Sequence, residues 1–273
     1  MNTHSITFVG GGNMARSLIA GLVRQGTAPA HIHVAEPVVE LRDALRADFG
    51  VSTYASAAEA AAQGGVWVLA VKPQVMSQVC ADLADLARQH SPLVVSIAAG
   101  ITSAQLQQWL GGHDAVVRAM PNTPALLGAG VTGLFATSAV SAGQRAQADQ
   151  VLATAGRTVW IEDEAKMDAV TAVSGSGPAY VFLLAEAMEA AARAQGLPAD
   201  AAHALVVQTL LGASRMLDES GEAPAELRRR VTSPNGTTQA AVESFQADGF
   251  EAIVARAIEA ATARGKALSA AND

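Results

Sequence analysis

Ile6-Thr7-Phe8-Val9-Gly10-Gly11-Gly12-Asn13-Met14-Ala15 is the stretch that decides the fold. Four residues of strand character run straight into a glycine turn that opens a helical pattern, matching G-x-G-x-x-A. Gly10 permits the tight turn, Gly12 lets a pyrophosphate approach the backbone, and Ala15 lets helix and strand pack closely. The free N–H groups at the helix start, which include Gly11, Asn13 and Met14 in the cradle, carry the positive end of the helix dipole. A glycine turn alone is weak evidence. Set between a strand and a helix, it marks a dinucleotide-binding domain.

Outward from that turn, short apolar runs alternate with helical patterns through about residue 162. Strands are expected at Ser5–Gly10, Ile32–Ala35, Val66–Val71, Leu93–Ile97, Val116–Met120, Val131–Phe135 and Thr158–Ile161. Helices are expected at Asn13–Arg24, Glu40–Phe49, Ala57–Gln63, Val75–Arg88, Ser103–Leu110 and Ser141–Ala155. Such alternation specifies an α/β fold, a doubly wound parallel sheet with helices on both faces. The last strand pairs, joined by turn-rich segments, are expected to be antiparallel.

From residue 163 onward strand signals stop, and an all-helical domain is expected over 163–273. Gly175-Ser176-Gly177-Pro178 opens a helix that ends at Gly196-Leu197-Pro198, a glycine cap followed by proline. Further helices are expected at Ala199–Glu219, Ala225–Val231, Thr237–Gln246 and Phe250–Ala267. Ala179-Tyr180-Val181-Phe182-Leu183-Leu184-Ala185 has no polar face, and a helix apolar all round must be enclosed. A second copy of the domain is expected to enclose it, which makes the protein an obligate homodimer.

Composition narrows the function classes. The net charge of −7 argues against general nucleic-acid binding, which needs a surplus of cations to neutralise phosphates. Arg228-Arg229-Arg230 reads as cations ending a helix. Cys80 is the single cysteine, so no disulfide framework or thiolate metal site exists, and it reads as a small buried apolar residue. His31 and His33 are expected on one side of a strand, without the further donors that a metal site needs. No metal is expected. There is no leader pattern and no apolar run long enough for a membrane span, so the expected setting is the cytoplasm.

Several segments end strands at one edge of the sheet, where doubly wound folds bind ligands. Ala70-Val71-Lys72-Pro73 is one, with Lys72 expected near the nicotinamide ribose. Ala98-Ala99-Gly100 is another, its small residues leaving room for a flat ring. Met120-Pro121-Asn122-Thr123-Pro124 is the third, stiffened by two prolines. Glu36 ends the second strand, where a carboxylate suits the ribose diol of NAD and repels the 2′-phosphate of NADP. Arg42 on the following helix offers the opposite preference, so NADPH and NADH both stay open.

Ser233-Pro234-Asn235-Gly236-Thr237-Thr238 stands directly before a helical pattern. It is read as a helix start with a capping serine, free N–H groups from Gly236 to Thr238, and hydroxyls to hold an anion such as a substrate carboxylate. Thr238 would meet the reacting atom.

Gly10–Ala15, Ala70–Pro73, Pro121–Pro124, Asp168-Ala169-Val170-Thr171, Ser174–Tyr180 and Ser233–Thr238 together resemble pyrroline-5-carboxylate reductase. The resemblance runs from about residue 5 to residue 267 and is most specific at Ser174–Tyr180 and Ser233–Thr238. It implies reduction of the C=N bond of L-1-pyrroline-5-carboxylate to L-proline by NADPH or NADH, the last step of proline biosynthesis. It further implies a Rossmann domain followed by a helical dimerisation domain, in dimers that often assemble into decamers. The resemblance assigns Ser233, Asn235, Gly236, Thr237 and Thr238 to the substrate carboxylate loop, with Thr238 at the ring nitrogen. It also brings Glu164 toward the substrate and Ser56 toward the cofactor ribose. Asn235 departs from the family, which often has glycine there, and Glu36 departs from a simple NADPH site.

Two other readings stand beside it. A β-hydroxyacid dehydrogenase has a similar domain order, but its catalytic lysine belongs early in the inter-domain helix, and Pro178–Gln195 contains none. A non-catalytic NAD(P)-binding regulatory protein would keep Gly10–Ala15 and lose the Ser233–Thr238 loop, whereas this chain has both.

Overall fold

A computed structural model of the chain describes residues 5–271. Among them, eight strands form one sheet: β1 (Ile6–Val9), β2 (Ile32–Ala35), β3 (Ser52–Tyr54), β4 (Val66–Leu69), β5 (Leu93–Ser96), β6 (Val116–Met120), β7 (Gly130–Ala136) and β8 (Gly156–Trp160). Their spatial order is β3-β2-β1-β4-β5-β6-β7-β8. All neighbours are parallel except β6 and β7. The antiparallel pairing expected at the end of the sheet is therefore present once. The β7–β8 pair is parallel, because α6 (Ala142–Leu152) intervenes as a crossover.

The crossovers α1 (Asn13–Arg24), α2 (Val39–Phe49), α3 (Ala57–Ala61), α4 (Pro73–His90) and α5 (Ser103–Trp109) cover both faces of the parallel part. Strands β1, β2, β4 and β5 are buried at every position, as a sheet covered on both sides requires. Alternate residues feed two separate cores. Val66 and Val68 point into one, with Phe8, Leu18, Ile19 and Leu45. Trp67 and Leu69 point into the other, with Met76, Cys80, Leu83 and Leu106.

Strand β3 escapes a reading by pattern, because Ser52-Thr53-Tyr54 is short, polar and only half-buried at the sheet edge. It is fixed by tertiary pairing with β2. His31 lies in a 3-10 turn ahead of β2 and not on the strand itself. His33 contacts the Tyr54 hydroxyl through Nδ1 at 3.2 Å.

Packing groups the residues through Ser176, together with those from Ala261 onward, into one unit, and Gly177–Ala260 into a second. The sheet ends near Glu162, but a 3-10 turn at Glu164–Lys166, α7 (Met167–Val170) and a π-helical turn at Thr171–Gly175 still pack with it. The second unit holds α8 (Gly177–Ala194), α9 (Ala199–Glu219), α10 (Pro224–Arg230), α11 (Thr237–Ala247) and the start of α12 (Phe250–Ala270). The end of α12 belongs to the first unit: Gln105 Nε2 donates to the Ser269 carbonyl at 3.0 Å, and Gly265 lies against Asp168.

No residue of α8 is buried within the chain. Phe182 and Leu183 are 67 % and 66 % exposed, and Leu205, Leu211 and Leu217 on α9 are exposed as well. Contiguous apolar surface of this kind marks an interaction face. Replacing Phe182 and Leu183 together by Glu should abolish self-association at micromolar concentration, read by sedimentation velocity. A dimer of unchanged affinity would refute the assignment of this face.

Burial pushes the Cys80 thiol from an ordinary value of 9.0 up to about 12. A thiol that ionises later in the folded than in the unfolded state contributes stability that is complete below pH 9. That contribution is lost as pH climbs toward 12. Denaturant unfolding should therefore show a steeper alkaline loss of stability for the wild-type chain than for Cys80→Ala. Parallel losses would place the thiol in contact with water.

Candidate active site

The glycine turn leaves β1 at the point where the strand order reverses, with β2 on one side and β4 on the other. Gly10 has φ +104°, and a Cβ there would lie 2.7 Å from the Ala70 carbonyl oxygen. Its N–H donates to Ala35 at the end of β2, and the Ala70 N–H donates to Val9. These two bonds, on either side of the glycine, tie the ends of three strands together. A Cβ on Gly12 would meet nothing within 4 Å, so this turn has open space before it. Gly12 is the N-cap of α1 and no side chain caps that helix. Open space and uncapped N–H groups are what a pyrophosphate needs, so Gly10, Gly11, Gly12, Asn13 and Met14 fit the dinucleotide.

The rest of the expected cofactor set lines the same sheet edge. Ala70, Val71 and Lys72 follow β4, and Pro73 is the first residue of α4, with Lys72 exposed at its N-cap. Ala98 is buried just beyond β5, and Gly100 has its α-carbon against Leu268 of α12. Asn122 follows β6, but both ends of its amide are engaged. Its Nδ2 donates to the Ser174 carbonyl at 3.1 Å, and its Oδ1 accepts from the Val131 N–H at 2.9 Å. Asn122 braces the edge of the cleft by holding the π-helical turn to it. Ser56 caps α3, accepting from the Glu59 N–H at 3.2 Å.

Glu36 is 7 % exposed. Its Oε2 accepts from the Gly11 N–H and its Oε1 from the Val38 N–H, both at 3.1 Å. The carboxylate therefore buttresses the glycine turn.

Glu164 is likewise occupied. It accepts from the Ser103 N–H at 2.7 Å, from the Ser103 hydroxyl, and from Arg118 Nη1 at 3.3 Å. Arg118 also reaches Asp168 through Nη2 at 3.5 Å, with its own side chain 5 % exposed. This buried network joins β6, the start of α5 and α7. The sequence carries one signal for it: a lone arginine in Val116-Val117-Arg118-Ala119-Met120, inside a strand otherwise apolar on both faces.

In the second unit, the Ser233–Thr238 loop turns before α11. Gly236 occupies the N-cap position, and no side chain caps the helix. The expected serine cap is thus displaced by three residues: Ser233 contributes its carbonyl, which accepts from the Gly236 N–H at 3.0 Å. Asn235 adopts φ +57°, the left-handed region that asparagine tolerates. Gln239, unremarked in the sequence, accepts the Asn235 N–H on Oε1 at 2.7 Å and donates to Glu243. Ser233, Thr237 and Thr238 are exposed. Among the described residues, their hydroxyls and the first N–H groups of α11 have no side-chain partner. This loop contains no titratable side chain, so it can hold an anion and supply hydroxyls without carrying charge.

Residues 164–268 match the family described as pyrroline-5-carboxylate reductase dimerisation, and residues 5–100 match NADP oxidoreductase, coenzyme F420-dependent. A pyrroline-5-carboxylate reductase of Pseudomonas aeruginosa is 53 % identical over 98 % of each chain. The chain belongs to the pyrroline-5-carboxylate reductase family. Members are NAD(P)H-dependent oxidoreductases that reduce pyrroline-5-carboxylate. The pyrroline-5-carboxylate reductase structure from Coxiella burnetii is 40 % identical, with a TM-score of 0.95 over 98 % of this chain and 99 % of that one. The Plasmodium falciparum pyrroline carboxylate reductase, solved with NADP bound, is 27 % identical with a TM-score of 0.86. A 3-hydroxyisobutyrate dehydrogenase of Mycobacterium tuberculosis, at 19 % identity and a TM-score of 0.53, shares the fold alone.

Within this reductase fold, removing Arg118 leaves two carboxylates without their cation. Arg118→Ala should destabilise the first unit by about 3–5 kcal/mol, measured by denaturant unfolding. A loss under about 1 kcal/mol would show that the network is as weak as a surface pair.

Proposed function

We propose that this chain reduces the C=N bond of L-1-pyrroline-5-carboxylate to L-proline, with the Ser233–Thr238 loop as its substrate site. The observation that carries the loop assignment is the uncapped start of α11, with Ser233, Thr237 and Thr238 exposed and their hydroxyls unspent. The N–H groups of Thr237 and Thr238, with the Ser233 hydroxyl, hold the substrate carboxylate, aided by the helix dipole. Gly236 and Asn235 shape the turn and present those donors. The Thr238 hydroxyl faces the ring nitrogen.

NAD(P)H, when bound, supplies the hydride that adds to the imine carbon. The electron pair of the C=N π bond then passes to nitrogen, which needs one proton to become the secondary amine. A cyclic imine is basic enough to arrive partly protonated, so a hydroxyl or a water relayed by Thr238 suffices. No histidine, lysine or aspartate is required at that nitrogen.

On this reading Gly10–Met14 hold the pyrophosphate, while Ala70–Pro73 and Ala98 border the nicotinamide. Ser56 lies toward the adenosine ribose, and Glu36, Asn122 and Glu164 act by fixing backbone around the site. Self-association runs through the apolar faces of α8 and α9 as a dimer, with further assembly to a decamer. The setting is the cytoplasm.

The test is to mix the purified chain with pyrroline-5-carboxylate and NADPH or NADH and follow nicotinamide oxidation. No turnover with either nucleotide, in a folded dimer, sinks the proposal. Thr238→Ala should lower kcat by roughly ten- to a hundredfold while leaving the Kd for NADPH unchanged. Equal losses in turnover and nucleotide affinity would remove Thr238 from the reacting nitrogen.

A further inference from the structure

Between β5 and α5 the chain runs Ile97-Ala98-Ala99-Gly100-Ile101-Thr102, the segment that borders the proposed nicotinamide site. Alanine and glycine leave space for a flat ring, but their side chains offer no donor or acceptor. A loop of that composition cannot fasten itself. Its ends are held by neighbours: the Ala98 N–H donates to Ser96 Oγ at 3.4 Å, and Ile101 is buried with Leu106 and Leu110. Between them Gly100 takes φ +71°, a left-handed conformation.

A further hold comes from Gln105, in the first turn of α5. The residue is 4 % exposed, so both ends of its amide need partners within the protein. Its Oε1 accepts from the Thr102 N–H at 2.8 Å, and the Gln105 N–H donates to Thr102 Oγ1 at 3.2 Å. This capping box fixes where the loop stops and α5 starts. Its Nε2 donates to the Ser269 carbonyl at 3.0 Å, 164 residues along the chain. That carbonyl stands in the last turn of α12, where helix carbonyls lack an intrahelical partner. One side chain thereby caps the start of α5 and the end of α12. The same turn of α12 lies on the loop: a Cβ at Gly100 would come 3.3 Å from Leu268 Cβ. One turn earlier, Gly265 lies against Asp168, which pairs with Arg118. The end of α12 therefore touches both the loop and the buried ion network, and Gln105 fastens it there.

We propose that Gln105 is a positioning residue for hydride transfer: by clamping the last turn of α12 against Gly100, it sets where Ala98 and Ala99 stand beside the nicotinamide. Gln105 touches no reacting atom and acts through the loop. A misplacement of about 1 Å costs on the order of a hundredfold in rate, so a loop of alanines needs bracing from outside. The inference rests on the assignment of the nicotinamide to Ala98.

The experiment compares the full chain with its Gln105→Leu and Gln105→Glu variants. Leucine removes both side-chain bonds, whereas glutamate keeps an acceptor for the Thr102 N–H and loses the donor to Ser269. Affinities are measured for NADPH and for 2′,5′-ADP, which lacks the nicotinamide half, along with the fluorescence of bound NADPH and the melting temperature. Both variants should lower kcat by about tenfold or more and leave the Kd for 2′,5′-ADP within about twofold of wild type. Both should weaken NADPH more than 2′,5′-ADP and shift the fluorescence of its reduced ring. The isotope effect on kcat, with NADPH deuterated at the transferred position, should rise. Unchanged fluorescence and isotope effect would overturn the proposal, whatever the melting temperature. So would equal losses of NADPH and 2′,5′-ADP, a pattern that belongs to general loosening of the unit. Wild-type behaviour of Gln105→Glu would overturn it too, because the capping box alone would then suffice. Failure of the wild-type chain to reduce the imine bears on the reductase reading, and the affinity and fluorescence results still decide this one.

Discussion

The closeness of Gly10 to the Ala70 carbonyl is the constraint on which the first unit depends. At the switch in strand order, the turn leaving β1 must pass the end of β4 and still deliver α1 onto the sheet. A Cβ at Gly10 would lie 2.7 Å from that carbonyl, and φ +104° is a conformation that other residues avoid. With hydrogen in place of a side chain, Gly10 can donate to Ala35 while Ala70 donates to Val9. The ends of β2, β1 and β4 then lie side by side, and the open edge that they form is the proposed cofactor cleft. On that reading packing and ligand binding share this one contact, so any larger residue at Gly10 would damage both.

Much of the first unit was legible because its signals are local. Strands buried on both faces give unbroken apolar runs such as Val66–Leu69, and the glycine turn between Val9 and Asn13 fixes the topology. What escaped was set by distant partners. Strand β3 is polar and exists because β2 offers it an edge. The parallel β7–β8 pair follows from α6 crossing over the sheet, whereas turn residues in the connections suggested a reversal. The packing of Glu164–Gly175 with the sheet depends on Arg118 and Asn122, whose partners lie about fifty residues away.

The same distinction applies to the site. Side chains expected to touch ligand from their type and position are, in several cases, already engaged by the protein: Glu36 by the glycine turn, Asn122 by the π-helical turn, Glu164 by Ser103 and Arg118; Ser56 caps a helix but keeps its hydroxyl proton to donate. Sequence reports that a polar residue is present; only the fold reports whether its hydrogen-bonding capacity is spent. Lys72, Ser233, Thr237 and Thr238 are exposed, and Arg42 keeps open donors. A residue with capacity left can recognise a ligand directly.

Asn235 shows how backbone shape enters the proposed chemistry. The Ser233–Thr238 loop has no ionisable group, so in the proposed role its contribution is orientation: donors fixed toward a carboxylate, and one hydroxyl toward a nitrogen that needs a single proton. Fixing those donors requires a left-handed residue between Pro234 and Gly236, and an asparagine at φ +57° is less at ease there than a glycine. It also confines the unfolded chain more than glycine does, which offsets part of that strain. Gln239 fastens this residue from one turn along α11, its Oε1 accepting the Asn235 N–H at 2.7 Å. That bond uses the backbone N–H, which every residue except proline carries, so it braces the turn whichever residue stands at 235.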